Sequence, residues 1–132
     1  MSLPASVLIV EDEESILLSL EFLLGKEGYA VQTARDGAAA LRSLQMQPPD
    51  LVLLDVMLPL IDGFELCRLI RENPALRRTR IMLLTARGRE TEIARGLALG
   101  ADAYLTKPFS TRDLMEHVRT LLAGRDTTLP TG

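Results

Sequence analysis

The sequence contains a single cysteine, Cys67, which excludes an internal disulfide framework and a zinc site built from several cysteines. It also lacks a long hydrophobic run. The longest apolar stretch, residues 51–61, is interrupted by Asp55 and Pro59 and is far shorter than the ~20 residues that span a bilayer. The amino terminus does not join a basic segment to an apolar one, so we expect no signal peptide, no membrane attachment and a cytoplasmic location.

Positive charge is not in excess either. The 15 Lys and Arg residues and 18 Asp and Glu residues give a net charge of −3, whereas a general nucleic-acid binder needs clustered positive charge. Residues 68–95 do hold eight arginines against three acids, but without interleaved aromatic residues this pattern favours a solvated surface. We therefore expect no direct binding of nucleic acid.

The composition is that of a globular domain. Of the 132 residues, 47% are hydrophobic and 25% are charged, which excludes a disordered chain. No internal repeat or linker is found. We predict one domain over residues 5–123, followed by residues 124–132 as a flexible tail or the start of a linker.

Two hydrophobic periods alternate along the chain. Short, largely β-branched apolar runs predict strands over residues 6–10, 29–34, 51–54, 81–84 and 103–105. Each run is followed by apolar residues at helical spacing, which predicts five helices. Strands that alternate with helices form a parallel sheet with helices on both faces. The sequence therefore predicts a doubly wound α/β fold. We take its strand order to be the flavodoxin-like 2-1-3-4-5, in which strands one and three are neighbours where the order reverses.

Polar residues collect where the predicted strands end. They are Glu11 and Asp12 after strand one, Asp55 after strand three, Thr85 after strand four and Lys107 after strand five. Open parallel sheets bind ligands at this edge, and three converging carboxylates suit Mg²⁺, for which Mn²⁺ could substitute. The hydroxyl of Thr85 and the ammonium of Lys107 suit phosphoryl oxygens, with Asp55 as the nucleophile. Strand two ends in Arg35 and Asp36, to which we assign no role.

Four segments carry a resemblance to a known family. They are LIVEDE (residues 8–13), LLDVMLPLIDG (53–63), LLTA (83–86) and GADAYLTKPF (100–109). In their order and spacing, the sequence closely resembles the receiver domain of two-component response regulators, the CheY-like family, over residues 7–123. The resemblance implies a phosphoacceptor signalling domain rather than an enzyme. Its phosphoryl group would come from a histidine kinase or a histidine phosphotransfer protein.

The resemblance also implies a role for each matching residue. Asp55 would accept the phosphoryl group, and Asp12, Asp55 and the backbone carbonyl of Met57 would ligate Mg²⁺, with Glu11 acting through a water. Thr85 and Lys107 would bind the phosphoryl group.

The resemblance further implies a switch. Thr85 and Tyr104 would rearrange on phosphorylation and change the surface formed by the fourth helix, the fifth strand and the fifth helix. That surface would then bind a downstream protein target or a fused output domain. The peptide bond between Lys107 and Pro108 would be cis.

Three further residues are expected to modulate the lifetime of the phosphoryl group. Ala86 is small and would leave room for the phosphoryl oxygens. Arg87 and Met57 each follow a site residue by two positions, so their bulk and charge would control the access of hydrolytic water.

Taken singly, several of these residues have simpler explanations. The acids of residues 11–14 could form a solvated first helical turn, which we accept for Glu13 and Glu14. Thr85 alone is more often a helix cap and Lys107 alone a surface charge. Tyr104 alternates with apolar neighbours, which by itself favours core packing.

Other classes of function fit less well. A haloacid-dehalogenase-type phosphatase needs a second acid two residues after the nucleophile, where this sequence has Met57. Neither GxGxxG nor GxxxxGK[ST] occurs, which argues against a nucleotide-binding enzyme. The main alternative is a phosphate-independent, receiver-like interaction module, but such a module would not need the full set of polar residues at the strand ends.

The pattern for one common dimer is incomplete. In related regulators that pair through the fourth helix, fifth strand and fifth helix, a second acid follows the GAD aspartate and a basic residue lies on the last helix. Here Ala103 follows Asp102, and His117 occupies the basic position. A homodimer by another route stays open. The chain ends soon after the fifth predicted helix, as a stand-alone regulator or a fragment of a longer protein would.

Overall fold

The computed structural model of the protein describes residues 4–86 and 90–126. These residues form five strands: β1 (Ser6–Val10), β2 (Ala30–Ala34), β3 (Leu51–Asp55), β4 (Arg80–Ala86) and β5 (Ala103–Lys107). Five helices alternate with them: α1 (Glu14–Lys26), α2 (Gly37–Met46), α3 (Gly63–Glu72), α4 (Glu90–Ala98) and α5 (Thr111–Asp126). A 3₁₀ turn, Pro74–Leu76, links α3 to β4. In this part of the chain, no helix has the length and apolar character that crossing a membrane requires.

The sheet is parallel throughout, with the strand order β2-β1-β3-β4-β5. This confirms the predicted doubly wound fold. Val10 pairs with Ala34 of β2 on one side and with Leu54 of β3 on the other. β1 and β3 are therefore neighbours in the sheet, at the point where the strand order reverses. Doubly wound folds bind ligands at this point.

The central strand β3 is covered on both faces. All five of its residues are buried. Leu51 and Leu53 pack in the layer with α1 and α5, while Val52 and Leu54 pack in the layer with α2 and α3. An unbroken apolar run is the expected sequence for such a strand, and each buried aliphatic side chain contributes about 1.5–3 kcal/mol.

Three strands extend further than the sequence predicts. β3 includes Asp55, β4 continues to Ala86 and β5 continues to Lys107. The reason is that a polar side chain interrupts the hydrophobic pattern but leaves the backbone free to pair: Asp55 pairs with Leu84, and Ala86 pairs with Lys107. The sheet itself therefore fixes the backbone of these polar residues.

Helix α5 also extends further than predicted. It continues to Asp126, so residues 124–126 belong to the helix and not to the predicted tail. The predicted tail begins at Gly124, but a glycine costs a helix only about 1 kcal/mol relative to alanine and does not by itself end it. Residues 127–132 lie outside the described residues.

Side-chain caps fix where the chain turns into three of the helices at the carboxyl edge of the sheet. Asp36, Asp62 and Ser110 each accept a hydrogen bond from a backbone N–H three residues later, at 2.8, 2.8 and 3.0 Å. Each cap satisfies a backbone donor that the first helical turn leaves unpaired. The turns that follow β2, β3 and β5 are thereby set.

At the opposite, amino edge of the sheet, Asp102 joins three elements. Its Oδ2 atom accepts hydrogen bonds from the backbone N–H of Ile81 at 2.8 Å and from Arg71 Nη2 at 2.7 Å, and its Oδ1 lies 3.6 Å from Arg80 Nη1. Arg71 Nε also donates to the carbonyl of Gly100 at 2.8 Å. The Asp102 carboxylate is thus engaged within this chain, where it ties α3 and β4 to the turn before β5.

We predict that Gly63→Ala destabilises the fold. Gly63 begins α3 against the end of β3, and a Cβ there would lie 2.5 Å from the carbonyl oxygen of Asp55 and 2.6 Å from Cα of Val56. Because backbone cannot move aside as a side chain can, we expect a loss of about 1–3 kcal/mol in the free energy of unfolding, measured by urea denaturation.

Gly25→Ala is the matched control for this prediction. A Cβ at Gly25, inside α1, would meet no atom within 4 Å, so the substitution should be neutral or stabilising by up to about 1 kcal/mol. Equal stability of the two variants would show that the close approach at Gly63 does not constrain the fold.

Candidate functional site

Three carboxylates meet at the junction of β1 and β3. Glu11 and Asp12 directly follow β1, and Asp55 is the last residue of β3. One oxygen atom from each of these side chains lies within 4.8 Å of the other two. Glu11 is 0% exposed and Asp55 is 4% exposed, whereas Asp12 is exposed to solvent. The structure thus brings together the three acids that the sequence predicts to converge.

Lys107 adds one positive charge to this cluster. Its Nζ donates to Glu11 Oε1 at 2.8 Å and lies 3.5 Å from Asp55 Oδ2. The hydrogen bond joins residues 96 positions apart in the sequence, because the side chain reaches from β5 across the sheet edge towards β1. Three carboxylates and one ammonium leave the cluster with a formal charge of −2.

Burial and pairing shift the titration of this ion pair. Burial raises the pKa of Glu11 above its usual value, although hydrogen bonds from Lys107 and from the backbone N–H of Glu13 oppose the shift. Burial also disfavours the charged form of Lys107, but the hydrogen bond to Glu11 and the charges of Asp55 and Glu11 outweigh burial and raise its pKa. Lys107 is therefore an ammonium at neutral pH.

The donor set of the cluster suits a hard divalent cation. All three candidate ligands are carboxylates, and a cation that prefers oxygen relieves the repulsion that Lys107 offsets only in part. The formal charge of −2 matches the charge of Mg²⁺. Because Asp12 is exposed, an ion can reach the cluster from solvent.

Thr85 lies next to the cluster, near the end of β4. Its side chain is 2% exposed, and in the part of the chain that the structure describes, Oγ1 has no hydrogen-bond partner. A buried hydroxyl without a partner costs about 1–3 kcal/mol. Asp55 pairs with the preceding residue, Leu84, so the Thr85 hydroxyl is an available donor one residue beyond the level of Asp55.

The Asp55 carboxylate is held from two sides. Oδ1 accepts a hydrogen bond from the backbone N–H of Met57 at 3.0 Å, and Oδ2 faces Lys107. The Met57 side chain itself is 61% exposed, at the mouth of the site. The loop after β3 thus orients Asp55 through its backbone and leaves the side chain of Met57 in solvent.

Tyr104 does not pack in the core, so the simplest explanation of its alternating pattern is wrong. The ring is 42% exposed. It borders a groove of about 440 Å³ with Leu97 of α4 and His117 of α5. The physical reason is that β5 is an edge strand, and the helices on the face that carries Tyr104 do not cover it fully.

The remaining predicted residues fall as follows. Ala86 is the last residue of β4 and is exposed. The peptide bond between Lys107 and Pro108 is cis. Arg87 lies outside the described residues.

Sequence reasoning assigned no role to Arg35, yet its side chain reaches the site. Arg35 follows β2, and its Nη2 donates to the carbonyl oxygen of Asp12 at 3.4 Å. The signal that could have found it is the strand order, because β2 lies beside β1 and its end opens onto the same edge.

The fold and the site define a class of protein, namely doubly wound domains that carry an acidic pocket and a lysine at the carboxyl edge of the sheet. Comparison with known proteins gives the family. Residues 7–119 match the response regulator receiver domain family. The chain belongs to this family and is a receiver domain of two-component signal transduction, as the resemblance implies.

Known relatives agree with this assignment. The phosphate regulon transcriptional regulatory protein PhoB of Rhizobium meliloti (strain 1021) is 48% identical over 116 residues, which cover 88% of this chain and 51% of that protein. The chain spans about half the length of the curated relatives it matches.

Two solved structures are similar in fold. A chemotaxis response regulator of Vibrio cholerae has a TM-score of 0.86 and 34% identity, over 90% of this chain and 99% of that one. The receiver domain of a sensor histidine kinase from Pseudomonas aeruginosa PAO1 has a TM-score of 0.83 and 32% identity, over 91% and 98% of the two chains. That structure holds a magnesium ion coordinated in its active site cleft.

We predict that MgCl₂ raises the melting temperature of the protein. An ion that binds only the folded state stabilises it by about 1.4 kcal/mol at ten times its Kd. Asp12→Asn removes one of the repelling charges, so in EDTA its free energy of unfolding should exceed that of the parent by an amount on the order of 1 kcal/mol, and its melting temperature should be higher. The melting temperature of this variant should rise less when MgCl₂ is added. Thermal melts followed by circular dichroism measure both effects.

Glu14→Gln is the control for the metal prediction. Glu14 is an exposed acid in the first turn of α1, close in sequence to the cluster but not part of it. This variant should keep the full response to MgCl₂. An equal response of the parent and Asp12→Asn would contradict the cation site.

Proposed function

We propose that this domain takes a phosphoryl group onto Asp55 from a histidine kinase or a histidine phosphotransfer protein. The observation that carries the proposal is the setting of Asp55. Its carboxylate is 4% exposed, lies among two further carboxylates and faces Lys107 at 3.5 Å. Phosphoryl transfer depends chiefly on positioning and charge neutralisation, and a buried carboxylate between a cation site and an ammonium has both.

The transfer itself is an exchange of one bond for another. An oxygen of the Asp55 carboxylate forms a bond to phosphorus while the bond from phosphorus to the histidine nitrogen of the donor breaks. The electron pair of the broken bond stays on the imidazole. The hydrogen bond from the Met57 N–H to Asp55 Oδ1 limits rotation of the carboxylate and so favours one direction of attack.

Mg²⁺, or Mn²⁺ in its place, would be held by Asp12, Asp55 and the backbone carbonyl of Met57, with Glu11 acting through a water. The ion would supply charge neutralisation between the carboxylate and the phosphoryl oxygens. Two observations support this assignment: the acidic cluster of this chain, and the magnesium ion in the cleft of the Pseudomonas relative.

Thr85 and Lys107 would bind the phosphoryl oxygens. Lys107 already lies between Glu11 and Asp55, so a small movement of Nζ would pair it with a phosphoryl oxygen. The Thr85 hydroxyl would gain the hydrogen-bond acceptor that it lacks among the described residues. Phosphorylation would thus satisfy a buried donor that has no acceptor among the described residues of the unmodified domain.

Movement of Thr85 towards the phosphoryl group would free space for the Tyr104 ring. Tyr104 pairs with Leu83 in the sheet and is 42% exposed, so a rotation inwards would reshape the groove that it shares with α4 and α5. A local change of charge would in this way bias a surface with two arrangements. We propose that this surface binds a downstream protein or a fused output domain.

The common salt-bridged dimer of such surfaces is not part of the proposal. Asp102 is engaged by Arg71, Arg80 and the backbone of Ile81 inside one chain. A homodimer would therefore form by another route.

We predict that phosphoramidate with MgCl₂ adds one phosphoryl group to the protein and that Asp55→Asn abolishes this labelling. The amide of asparagine cannot act as the nucleophile that a carboxylate provides. Intact-protein mass spectrometry measures the outcome.

Asp62→Asn is the control for labelling. It changes an acid in the loop after β3, and asparagine keeps the capping function of Asp62. Labelling of this variant should match that of the parent. If Asp55→Asn is labelled like the parent, Asp55 is not the acceptor; if the parent itself is not labelled, the phosphate-independent interaction module is favoured.

We predict opposite effects of Thr85→Val on stability and on switching. The substitution removes a buried hydroxyl that has no partner in the described part of the chain, so the free energy of unfolding should stay the same or rise by up to about 1–3 kcal/mol. The phosphorylation-dependent change in tyrosine fluorescence should be lost, because the sequence has no Trp and Tyr104 borders the switching surface. Thr85→Ser, which keeps the hydroxyl, should retain that change. A destabilised Thr85→Val variant that still switches fully would contradict the assignment.

A further inference from the structure

Arg35 brings a second cation to the edge of the acidic cluster. The residue follows β2, whose last residue, Ala34, pairs with Val10 and accepts a hydrogen bond from the backbone N–H of Glu11 at 3.0 Å. The guanidinium extends over β1 to the carbonyl oxygen of Asp12, at 3.4 Å from Nη2. Arg35 therefore contacts the backbone of Asp12, the one acid of the cluster that is open to solvent.

The guanidinium of Arg35 is not neutralised by any acid that the structure describes. Its one hydrogen bond there goes to a neutral carbonyl, and no described carboxylate lies within ion-pair distance of it. Arg68, Arg71, Arg80 and Arg112, by contrast, each pair with a carboxylate. A guanidinium carries five N–H donors, so most of those on Arg35 are available to a ligand.

Lys107 alone does not give the cluster a net attraction for an incoming anion. Its ammonium is already shared between Glu11 and Asp55, and the cluster around it keeps a formal charge of −2. A phosphodonor is itself an anion, and with Mg²⁺ bound the cluster would reach only formal neutrality, so it offers the donor no net attraction. A cation at the mouth, outside the cluster, supplies that attraction.

We propose that Arg35 is an accessory anion-binding residue that draws negatively charged phosphodonors to the mouth of the site. The inference rests on the proposed phosphorylation of Asp55. Arg35 acts through its charge and through hydrogen bonds to donor oxygens as the donor enters. The same positive charge repels Mg²⁺. Arg35 therefore favours the approach of anionic donors and weakens the binding of Mg²⁺.

The expected size of each effect follows from Coulomb's law. For a separation of about 10 Å in water, one protein charge changes a rate or a binding constant about twofold for each unit of ligand charge. Removing Arg35 should thus slow labelling by doubly charged acetyl phosphate about fourfold and by singly charged phosphoramidate about twofold. It should tighten the binding of Mg²⁺ about fourfold. These effects should shrink above ~0.1 M salt, where charges at this distance are screened.

The experiment compares the parent with Arg35→Ala, Arg35→Lys and Arg78→Ala at low ionic strength and neutral pH. Labelling rates with acetyl phosphate and with phosphoramidate, each at saturating MgCl₂, are measured by mass spectrometry. The Kd for Mg²⁺ is measured by isothermal titration calorimetry. Arg78→Ala makes the same change of net charge at the other edge of the sheet, just before β4, and should behave as the parent.

We expect Arg35→Ala to be labelled more slowly than the parent, with the larger effect for acetyl phosphate, and to bind Mg²⁺ more tightly. Arg35→Lys should recover the labelling rates and the Mg²⁺ affinity of the parent. Labelling of Arg35→Ala at the parental rate with both donors would overturn the inference. Equal slowing with both donors together with weaker Mg²⁺ binding would also overturn it, because Arg35 would then only support the backbone of Asp12. Failure of the parent to be labelled by either donor would instead refute the proposed function.

Discussion

The three carboxylates at the junction of β1 and β3 repel one another, and this repulsion constrains the arrangement of the other polar groups at this edge of the sheet. Two of the three acids are buried, and their charge exceeds what Lys107 offsets. Such a cluster persists only where the surrounding structure holds it, and here parallel pairing in a sheet covered on both faces fixes the strand ends. The hydroxyl of Thr85, which has no described partner, and the guanidinium of Arg35 lie around this excess of negative charge.

The two edges of the sheet differ in how far their polar groups are satisfied. At the amino edge, Asp102 receives a backbone N–H and two arginines, which joins α3, β4 and the turn before β5. At the carboxyl edge, like charges crowd together and a buried donor has no described acceptor. The contacts of Asp102 thus stabilise one end of the strands, whereas the other end holds the groups that we propose to bind a cation and an anion. This division is consistent with strain being stored at functional sites and offset elsewhere.

Much of the fold and of the site could be predicted from the sequence, because strand-like and helix-like hydrophobic spacings alternate along the chain. The alternation of apolar strands with helical stripes predicts the parallel sheet, and the flavodoxin-like strand order then places Glu11, Asp12 and Asp55 together. Strand ends were predicted too short, because hydropathy does not show that the backbone pairs beyond a polar residue. The exposure of Tyr104 was not predicted, because hydrophobic periodicity alone does not distinguish an edge strand from a strand that is covered on both faces. The contact of Arg35 with Asp12 and the missing partner of Thr85 depend on side-chain geometry, which sequence patterns do not contain.

The hydrogen bond between Glu11 and Lys107 spans 96 positions, nearly the whole length of the domain. During synthesis the acidic residues emerge first and their ammonium partner emerges 96 positions later, so the acids must remain in water until β5 has joined the sheet. A partly folded chain therefore has the carboxylate that we propose as the acceptor, but not the pairing with Lys107 that surrounds it in the sheet. On the proposed function, an incompletely folded molecule would not take up the phosphoryl group.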